Sequence, residues 1–277
     1  MKTLKDGMKK SVFSFLVVIL FFTNLLAYGY NDIGVYKNYK KIASGIKISD
    51  TIFVTKDSIL RFNDFYLKKD KDIYYNYDVI FVDRVAGLTF LRIDIPGNSV
   101  SLQKVRQIQE DAPIYIQKDN RFIKIGKYLK KIKGYGLLES ESKDLYAAMP
   151  LFDEHRKIIG IILGYFQKNQ YIFLKSPILN FYKKNIDTIL KKGKPRLNII
   201  VTELWKKNGI KIIKSYNNKF KVGDVIYKIE TSSIDNVLDF NISLFRYNLN
   251  DEIKFWIKRG ENNKTVIIRR REKYERK

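Results

Sequence analysis

The sequence predicts a mainly β protein with two folded domains, a larger all-β domain followed by a smaller α+β domain. Apolar and polar residues alternate with a period of two from Ile42 to about Leu163, with no helix-length pattern between the runs. A single helix pattern follows, and a second set of strand patterns begins at Arg196. A length of 277 residues suits one large or two ordinary domains.

The composition excludes several kinds of chemistry. There is no cysteine and one histidine, His155, so disulfides, thiolate metal sites and His-rich metal clusters are excluded, and we expect no metal and no cofactor. The formal charge of +24 is high, but 45% hydrophobic residues are ample for a packed core. Because the basic residues alternate with apolar ones along strands, they indicate solvated faces, and we expect no nucleic-acid partner. Contact with an anionic surface of the cell envelope stays open.

Residues 1–29 are predicted to be a secretory signal peptide. Four lysines precede a 17-residue apolar run from Ser11 to Ala27, shorter than the roughly 20 residues that a membrane-spanning helix needs. The small residues Ala27 and Gly29 favour cleavage before Tyr30. We therefore predict a periplasmic protein, with an inner-membrane anchor formed by the same segment as the alternative.

Residues 30–190 are predicted to form the first domain. Turn residues separate its short strands at Pro96-Gly97-Asn98, Lys118-Asp119-Asn120 and Asp153-Glu154-His155, which is typical of a β-barrel or sandwich. The helix is predicted from Ser176 to Lys192, with Ser176 as the N-cap and Pro177 in the first turn. Its expected apolar stripe consists of Ile178, Phe181, Ile186, and Ile189 or Leu190.

Residues 191–195 are predicted to be a linker, because Gly193 and Pro195 end a helix and favour extended chain. Residues 196–272 then show two strands, a turn into a third strand, an amphipathic helix in NVLDFNISLFRY, and a closing hairpin. This order predicts a compact α+β domain.

The second domain resembles a circularly permuted PDZ domain of bacterial exported proteases. Val222 to Ile226 matches the GDVI turn and strand of that family, and Phe255 to Gly260 corresponds to its penultimate strand, which ends in Arg and Gly. The resemblance implies a groove for extended peptides or C-termini. Its expected lining is Leu197, Asn198 and Ile199 in the carboxylate-binding loop, with Val237, Leu238, Phe240 and Ile242 on the helix. Asn198 departs from the glycine of the family pattern.

The first domain resembles the HtrA/DegP serine proteases in three segments and a following strand. Ser44 to Ile59 is similar to the SGxxI strand and the VTxxHV segment, and Asp83 to Ile93 is similar to DxxxDLAxLxI. Leu145 to Leu151 corresponds to GNSGGPL, and Lys157 to Ile161 to the next strand. The resemblance implies a trypsin-like double β-barrel that precedes the PDZ domain.

The catalytic triad of that family is substituted in this alignment. The histidine, aspartate and serine positions carry Ser58, Gly87 and Ala147. A nucleophile needs a base to take its proton, and neither glycine nor alanine has a side chain for either role. We therefore expect a catalytically degenerate domain and a chain that is not an enzyme. Ser140, Ser142 and His155 are weaker candidates for a displaced site.

The expected function is that of an exported scaffold or adaptor that binds partner proteins through the PDZ groove and the protease-like domain. A homo-oligomer is compatible with this role. The alternative is an active or residual HtrA-like serine endopeptidase or chaperone in envelope quality control. A further resemblance is to the protease-like scaffolds of periplasmic flagellar-motor disks in Campylobacter-like bacteria.

Overall fold

A computed structural model describes residues 33–62, 64–97, 99–100, 102, 107–119, 121–192, 197–204, 207–247 and 251–269. The predicted signal peptide, residues 1–29, and most of the predicted linker, residues 193–195, lie outside the described residues.

The first domain begins with a seven-stranded antiparallel sheet in the order β5-β4-β1-β2-β3-β7-β6. A short 3-10 helix, Asp57–Arg61, follows the third strand. The seven strands are β1 (Ile33–Lys37), β2 (Lys40–Lys47), β3 (Ile52–Lys56), β4 (Tyr66–Lys69), β5 (Asp72–Tyr74), β6 (Asp78–Asp83) and β7 (Leu88–Arg92).

The second half of this domain is a closed six-stranded barrel in the order β10-β13-β12-β11-β8-β9. Its interior holds the buried ring of Phe173, which packs closely over Gly136. A β-carbon added at Gly136 would lie 2.1 Å from Phe173 Cζ, so only glycine fits there. The strands are β8 (Pro113–Lys118), β9 (Arg121–Ile132), β10 (Tyr135–Ser140), β11 (Pro150–Phe152), β12 (Ile158–Gln167) and β13 (Gln170–Lys175).

Helix α1, Ser176–Lys192, follows β13 as predicted and packs on β12 and β13. Its buried face differs from the predicted stripe. The fully or almost fully buried residues are Leu179, Tyr182, Ile186 and Ile189, whereas Ile178 and Phe181 are only partly buried. The predicted stripe omitted Tyr182 because its hydroxyl is polar, yet Tyr182 is the largest side chain that the fold buries completely.

The C-terminal domain is a separate antiparallel sheet with a helix beside it. The main order is β14-β15-β16-β18-β19, and the short β17 pairs with β16. Helix α2, Val237–Leu244, begins after Asn236, whose side chain accepts a hydrogen bond from the Asp239 N–H at 2.8 Å. The strands are β14 (Ile199–Glu203), β15 (Ile210–Ser215), β16 (Val225–Ile229), β17 (Ser232–Ser233), β18 (Glu252–Arg259) and β19 (Asn262–Arg269).

The prediction of a mainly β chain is confirmed: a half-barrel and a closed barrel, consistent with a trypsin-like double β-barrel, precede a further β domain. Within the part of the chain that the structure describes, no helix has both the length and the apolar character that crossing a membrane requires.

Candidate functional site

The structure brings the three predicted triad positions together where the two halves of the first domain meet. Ser58 lies in the 3-10 helix, and the Asp57 N–H at the start of this helix donates to the Gly87 carbonyl at 3.1 Å. The Ala147 carbonyl, from the barrel half, accepts a hydrogen bond from the Ser44 N–H of β2 at 2.8 Å. Backbone hydrogen bonds thus place Ala147 beside the middle of β2, and Gly87 beside the residue that precedes Ser58 at the end of β3.

A lysine ammonium lies beside the position of the predicted triad aspartate. Gly87 has a φ of +69°, and a β-carbon added there would lie 2.5 Å from Lys56 Nζ. The same ammonium is 3.6 Å from the Asp57 carboxylate. Ser58 therefore follows directly after the two residues of an ion pair, Lys56 and Asp57. Neither Gly87 nor Ala147 has a side chain that can accept a proton. Peptide hydrolysis here would need a nucleophile other than residue 147.

The loop that corresponds to the GNSGGPL motif, residues 145–151, is held to the barrel through its backbone. Ala148 has a φ of +59°, and its N–H donates to the Ile162 carbonyl at 2.6 Å. The Met149 N–H donates to the Tyr146 carbonyl at 3.2 Å. These two donors are therefore already engaged within the fold, and an oxyanion hole would need other donors.

The weaker candidates for a displaced site are explained by local structure. The Ser140 hydroxyl is buried, donates to the Ile125 carbonyl at 2.6 Å and accepts from the Ser142 N–H at 3.1 Å. His155 lies at an exposed turn, where its Nε2 is 3.7 Å from Glu154. Among the described residues, no group of three or more His, Cys, Asp or Glu side chains is placed to hold a metal ion.

The residues that were predicted to line a peptide groove lie in and just before β14 and on helix α2. β14 is at the edge of its sheet and pairs with β15 on one side. The Tyr216 N–H donates to the Asn198 carbonyl at 2.9 Å, so the backbone carbonyl of Asn198 faces β15. Because backbone groups of an antiparallel strand alternate in direction, those of Ile199 point to the other edge. Asn198 has a φ of +53°, which asparagine tolerates better than most residues, so it keeps the left-handed backbone expected of glycine.

The predicted groove residues divide between two surfaces. Leu197, Ile199, Val237 and Phe240 pack with the core of the C-terminal domain. Leu238 is fully buried against the core between the two barrels, and Ile242 packs against that same core. The prediction that Leu238 and Ile242 line the groove is therefore corrected. Their spacing puts them on the side of α2 that faces the first domain, and the sequence alone does not show which side is covered.

A buried carboxylate joins the first domain to helix α2, and the sequence analysis missed it. Asp83 is 3% exposed and accepts hydrogen bonds from the Tyr182 hydroxyl at 2.6 Å and the Asn241 side-chain amide at 2.5 Å. The N–H groups of Val85 and Ala86 add bonds of 2.9 and 3.1 Å. Asp83 therefore connects the turn that carries Gly87 to both helices. Tyr182 and Asn241 lie 99 and 158 residues from Asp83 along the chain, so no local sequence pattern signals these two contacts.

Two motif residues of the C-terminal domain form one ion pair. Arg259 Nε and a terminal nitrogen each donate to the Asp224 carboxylate at 2.7 Å, and the Asp224 side chain is only 1% exposed. Burial alone would raise the pKa of Asp224, but the hydrogen bonds from Arg259 and the Lys221 N–H outweigh it and lower the pKa. The aspartate of the GDVI turn and the arginine at the end of β18 thus bind each other directly.

Comparison with solved structures reveals the same architecture. The HtrA-type protease AlgW with tripeptide superposes with a TM-score of 0.61 at 13% identity, covering 88% of this chain and 93% of that one. AlgW with decapeptide gives 0.61 at 12% identity, covering 89% and 97%. The serine endoprotease from Yersinia pestis gives 0.58 at 13% identity, covering 88% and 95%. The chain has the fold of the HtrA-type serine proteases.

No protein-family model and no curated protein matches the chain. The prediction that the chain is not an enzyme is contradicted by the structural matches, because the described neighbours are all HtrA-type serine proteases. The residues at the three triad positions, Ser58, Gly87 and Ala147, do not by themselves decide whether the chain has an enzymatic activity.

Proposed function

We propose that this chain is an exported protein with an HtrA-type fold that binds extended segments of partner proteins along the edge of β14 that pairs with no other strand of the described residues. The observation that carries the proposal is this edge strand beside helix α2, with half-buried apolar side chains between them. A peptide added to the edge gains main-chain hydrogen bonds, and pockets for alternate side chains supply selectivity. The PDZ resemblance and the matched structures titled with peptides support this reading.

The setting that we propose is a scaffold or adaptor in the periplasm. The segment with signal-peptide character supports export, and sequencing the N-terminus of the mature protein tests it, with Tyr30 as the expected first residue. A mature chain that still begins at Met1 and stays with the membrane fraction would show the anchor instead. The likeness to flagellar-motor disk scaffolds makes cross-linking in a flagellated host the natural search for partners.

Contacts with the first domain hold helix α2, one wall of the proposed groove, in place. Leu238, Phe245 and Asn241 hold α2 against the first domain through apolar packing and the hydrogen bond to Asp83. The Phe245 ring lies 5.8 Å from that of Phe81, edge to face. One wall of the groove is therefore fixed before a peptide arrives, which lowers the ordering cost of binding.

Selection from a phage-displayed library of random decapeptides tests peptide binding. We expect enrichment of related sequences on the wild type and loss of enrichment on Val201→Asp, which places a charge on the groove face of β14. The matched control is Ile267→Asp, on the edge strand β19 at the far side of the sheet, where the side chain is 46% exposed. Thermal melts establish that both variants fold. Equal enrichment on all three proteins would move binding away from β14.

A second candidate function is serine endopeptidase activity, which the fold favours because the matched structures are proteases. Incubation with unfolded casein and labelling with a fluorophosphonate probe test it. Labelled protein would identify the reactive serine by mass spectrometry, and Ser58 in the half-buried 3-10 helix is the first variant to make, as Ser58→Ala. Hydrolysis that survives Ser58→Ala would require another nucleophile.

A further inference from the structure

The groove face of β14 ends in an acidic residue. Side chains along this strand alternate, with Ile199, Val201 and Glu203 half-buried and the two residues between them exposed. Since alternate residues of a strand share one face, Glu203 lies on the same face as the two apolar residues. Any peptide that adds to this edge places every second side chain beside this row.

The Glu203 carboxylate lies between the end of β14 and the start of α2. Its Oε1 accepts a hydrogen bond from the Val237 N–H at 2.8 Å, and its Oε2 is buried without a hydrogen-bond partner among the residues that the structure describes. Burial raises the pKa of Glu203, and burial also raises the pKa of Asp239, which lies in the first turn of α2. Both carboxylates therefore lack the solvation that exposed carboxylates have.

The described cations act on these two carboxylates without forming an ion pair: Lys133 lowers the pKa of Glu203, and Lys131 lowers the pKa of Asp239. Lys and Arg number 53 against 29 Asp and Glu, yet neither Glu203 nor Asp239 forms an ion pair with any residue that the structure describes. Lys133 is close enough to lower the pKa of Glu203, but its ammonium donates to the Lys207 carbonyl at 2.8 Å. A desolvated carboxylate with a free acceptor gains most from a charged donor.

We infer that the groove selects extended peptides that carry a lysine or arginine at the position beside Glu203. This inference rests on the proposed peptide binding. The alternation of β14 also sets the spacing of the peptide, with the basic residue two positions from one apolar residue and four from a second. The expected pattern is apolar-x-apolar-x-basic, or its reverse if the peptide runs in the other direction.

The test uses the same random decapeptide library on four full-length proteins: the wild type, two Glu203 variants and a control variant. On the wild type, we expect basic residues to be enriched two positions from an apolar one. Glu203→Gln keeps an oxygen that can accept from Val237, and we expect the apolar pattern to remain while the basic preference disappears. Glu203→Lys reverses the charge and should select acidic residues at that position. Glu261→Gln, at an exposed turn between β18 and β19, is the matched control.

Synthetic peptides then give the magnitude by fluorescence polarisation. A selected peptide and its Lys→norleucine analogue should differ by roughly tenfold in affinity for the wild type and by little for Glu203→Gln. Equal affinities for the wild type, with binding intact, would refute the basic preference and leave the peptide groove standing. Failure to select any peptide on the wild type would instead refute peptide binding itself.

Discussion

The Tyr182→Phe substitution isolates one hydrogen bond to the buried Asp83 carboxylate. Burial is the main cause that raises the pKa of Tyr182, so its hydroxyl stays protonated and donates to Asp83 at 2.6 Å. Phenylalanine keeps the ring and its packing on the Phe90 ring, 5.1 Å away, so the change creates no large cavity. The carboxylate then loses one of four donors while its charge stays buried.

A hydrogen bond to a charged group contributes about 1.5–3 kcal/mol to stability. For a folded chain of this size, 1 kcal/mol corresponds to about 2–4 °C in the melting temperature, so the expected loss is roughly 3–12 °C. Differential scanning calorimetry measures this loss. Tyr165→Phe is the control, because Tyr165 is 64% exposed and its ring also packs edge to face, on Tyr171.

Asn241→Ala extends the test to the contact between the domains, since it removes the bond from α2 to the same carboxylate. We expect a similar loss in melting temperature and faster limited trypsin cleavage near residues 191–195. If Tyr182→Phe and Tyr165→Phe melt within about a degree of each other, the hydrogen bond from Tyr182 to Asp83 does not stabilise the fold, and the claim that Asp83 holds α1 in place is refuted.

Three further perturbations test other parts of the account. Arg259→Ala should lower the free energy of unfolding by about 3–5 kcal/mol, because it leaves the buried Asp224 charge unpaired. The folded pKa of Asp224 is lowered below 3.8, so the stability that the pair contributes is present above that pH and is lost as the pH falls through the folded pKa. Urea unfolding at pH 7 and pH 3 measures this difference. Gly136→Ala should destabilise by about 1–3 kcal/mol through overpacking on a buried ring, whereas Gly164→Ala, with no atom within 4 Å of the added carbon, should be nearly neutral in the same melts. Because burial raises the pKa of Glu203 above 4.5, its charge costs stability at neutral pH, so Glu203→Gln should be more stable than the wild type at pH 7, and the two should converge as the pH falls through the folded pKa.

The sequence predicted those features that depend on local pattern. Period-two alternation located the strands, and the helix pattern placed Ser176–Lys192 at its observed bounds. The GDVI motif and the strand that ends in Arg could be recognised because the residues of each are contiguous in the sequence. The ion pair that joins them, between Asp224 and Arg259, is a long-range contact that the sequence does not show. Features set by packing between distant elements were missed. The side of α2 that carries Leu238 is buried by the first domain, and local hydrophobicity does not distinguish that side from the groove side.

The triad region shows the same limit. Alignment by motif identified Ser58, Gly87 and Ala147, and in the structure the backbone of Asp57, the residue before Ser58, binds Gly87, while Ala147 binds Ser44 of β2. The lysine ammonium beside Gly87 was not predicted, because Lys56 occupies that space through the path of its long side chain. The sequence gives no sign that the Asp83 carboxylate is buried, since its two side-chain donors lie on helices far along the chain.

Amide hydrogen exchange with a library-selected peptide tests peptide binding along β14 most directly. Strand addition gives new hydrogen bonds to the outward-facing backbone of residues 199–203, so the account predicts slower exchange there when the peptide is bound. Residues 262–269 of β19, the opposite edge of the same sheet, should exchange at an unchanged rate. Protection of β19 or of the barrel strands, with β14 unaffected, would contradict the claim that β14 is the peptide-binding edge.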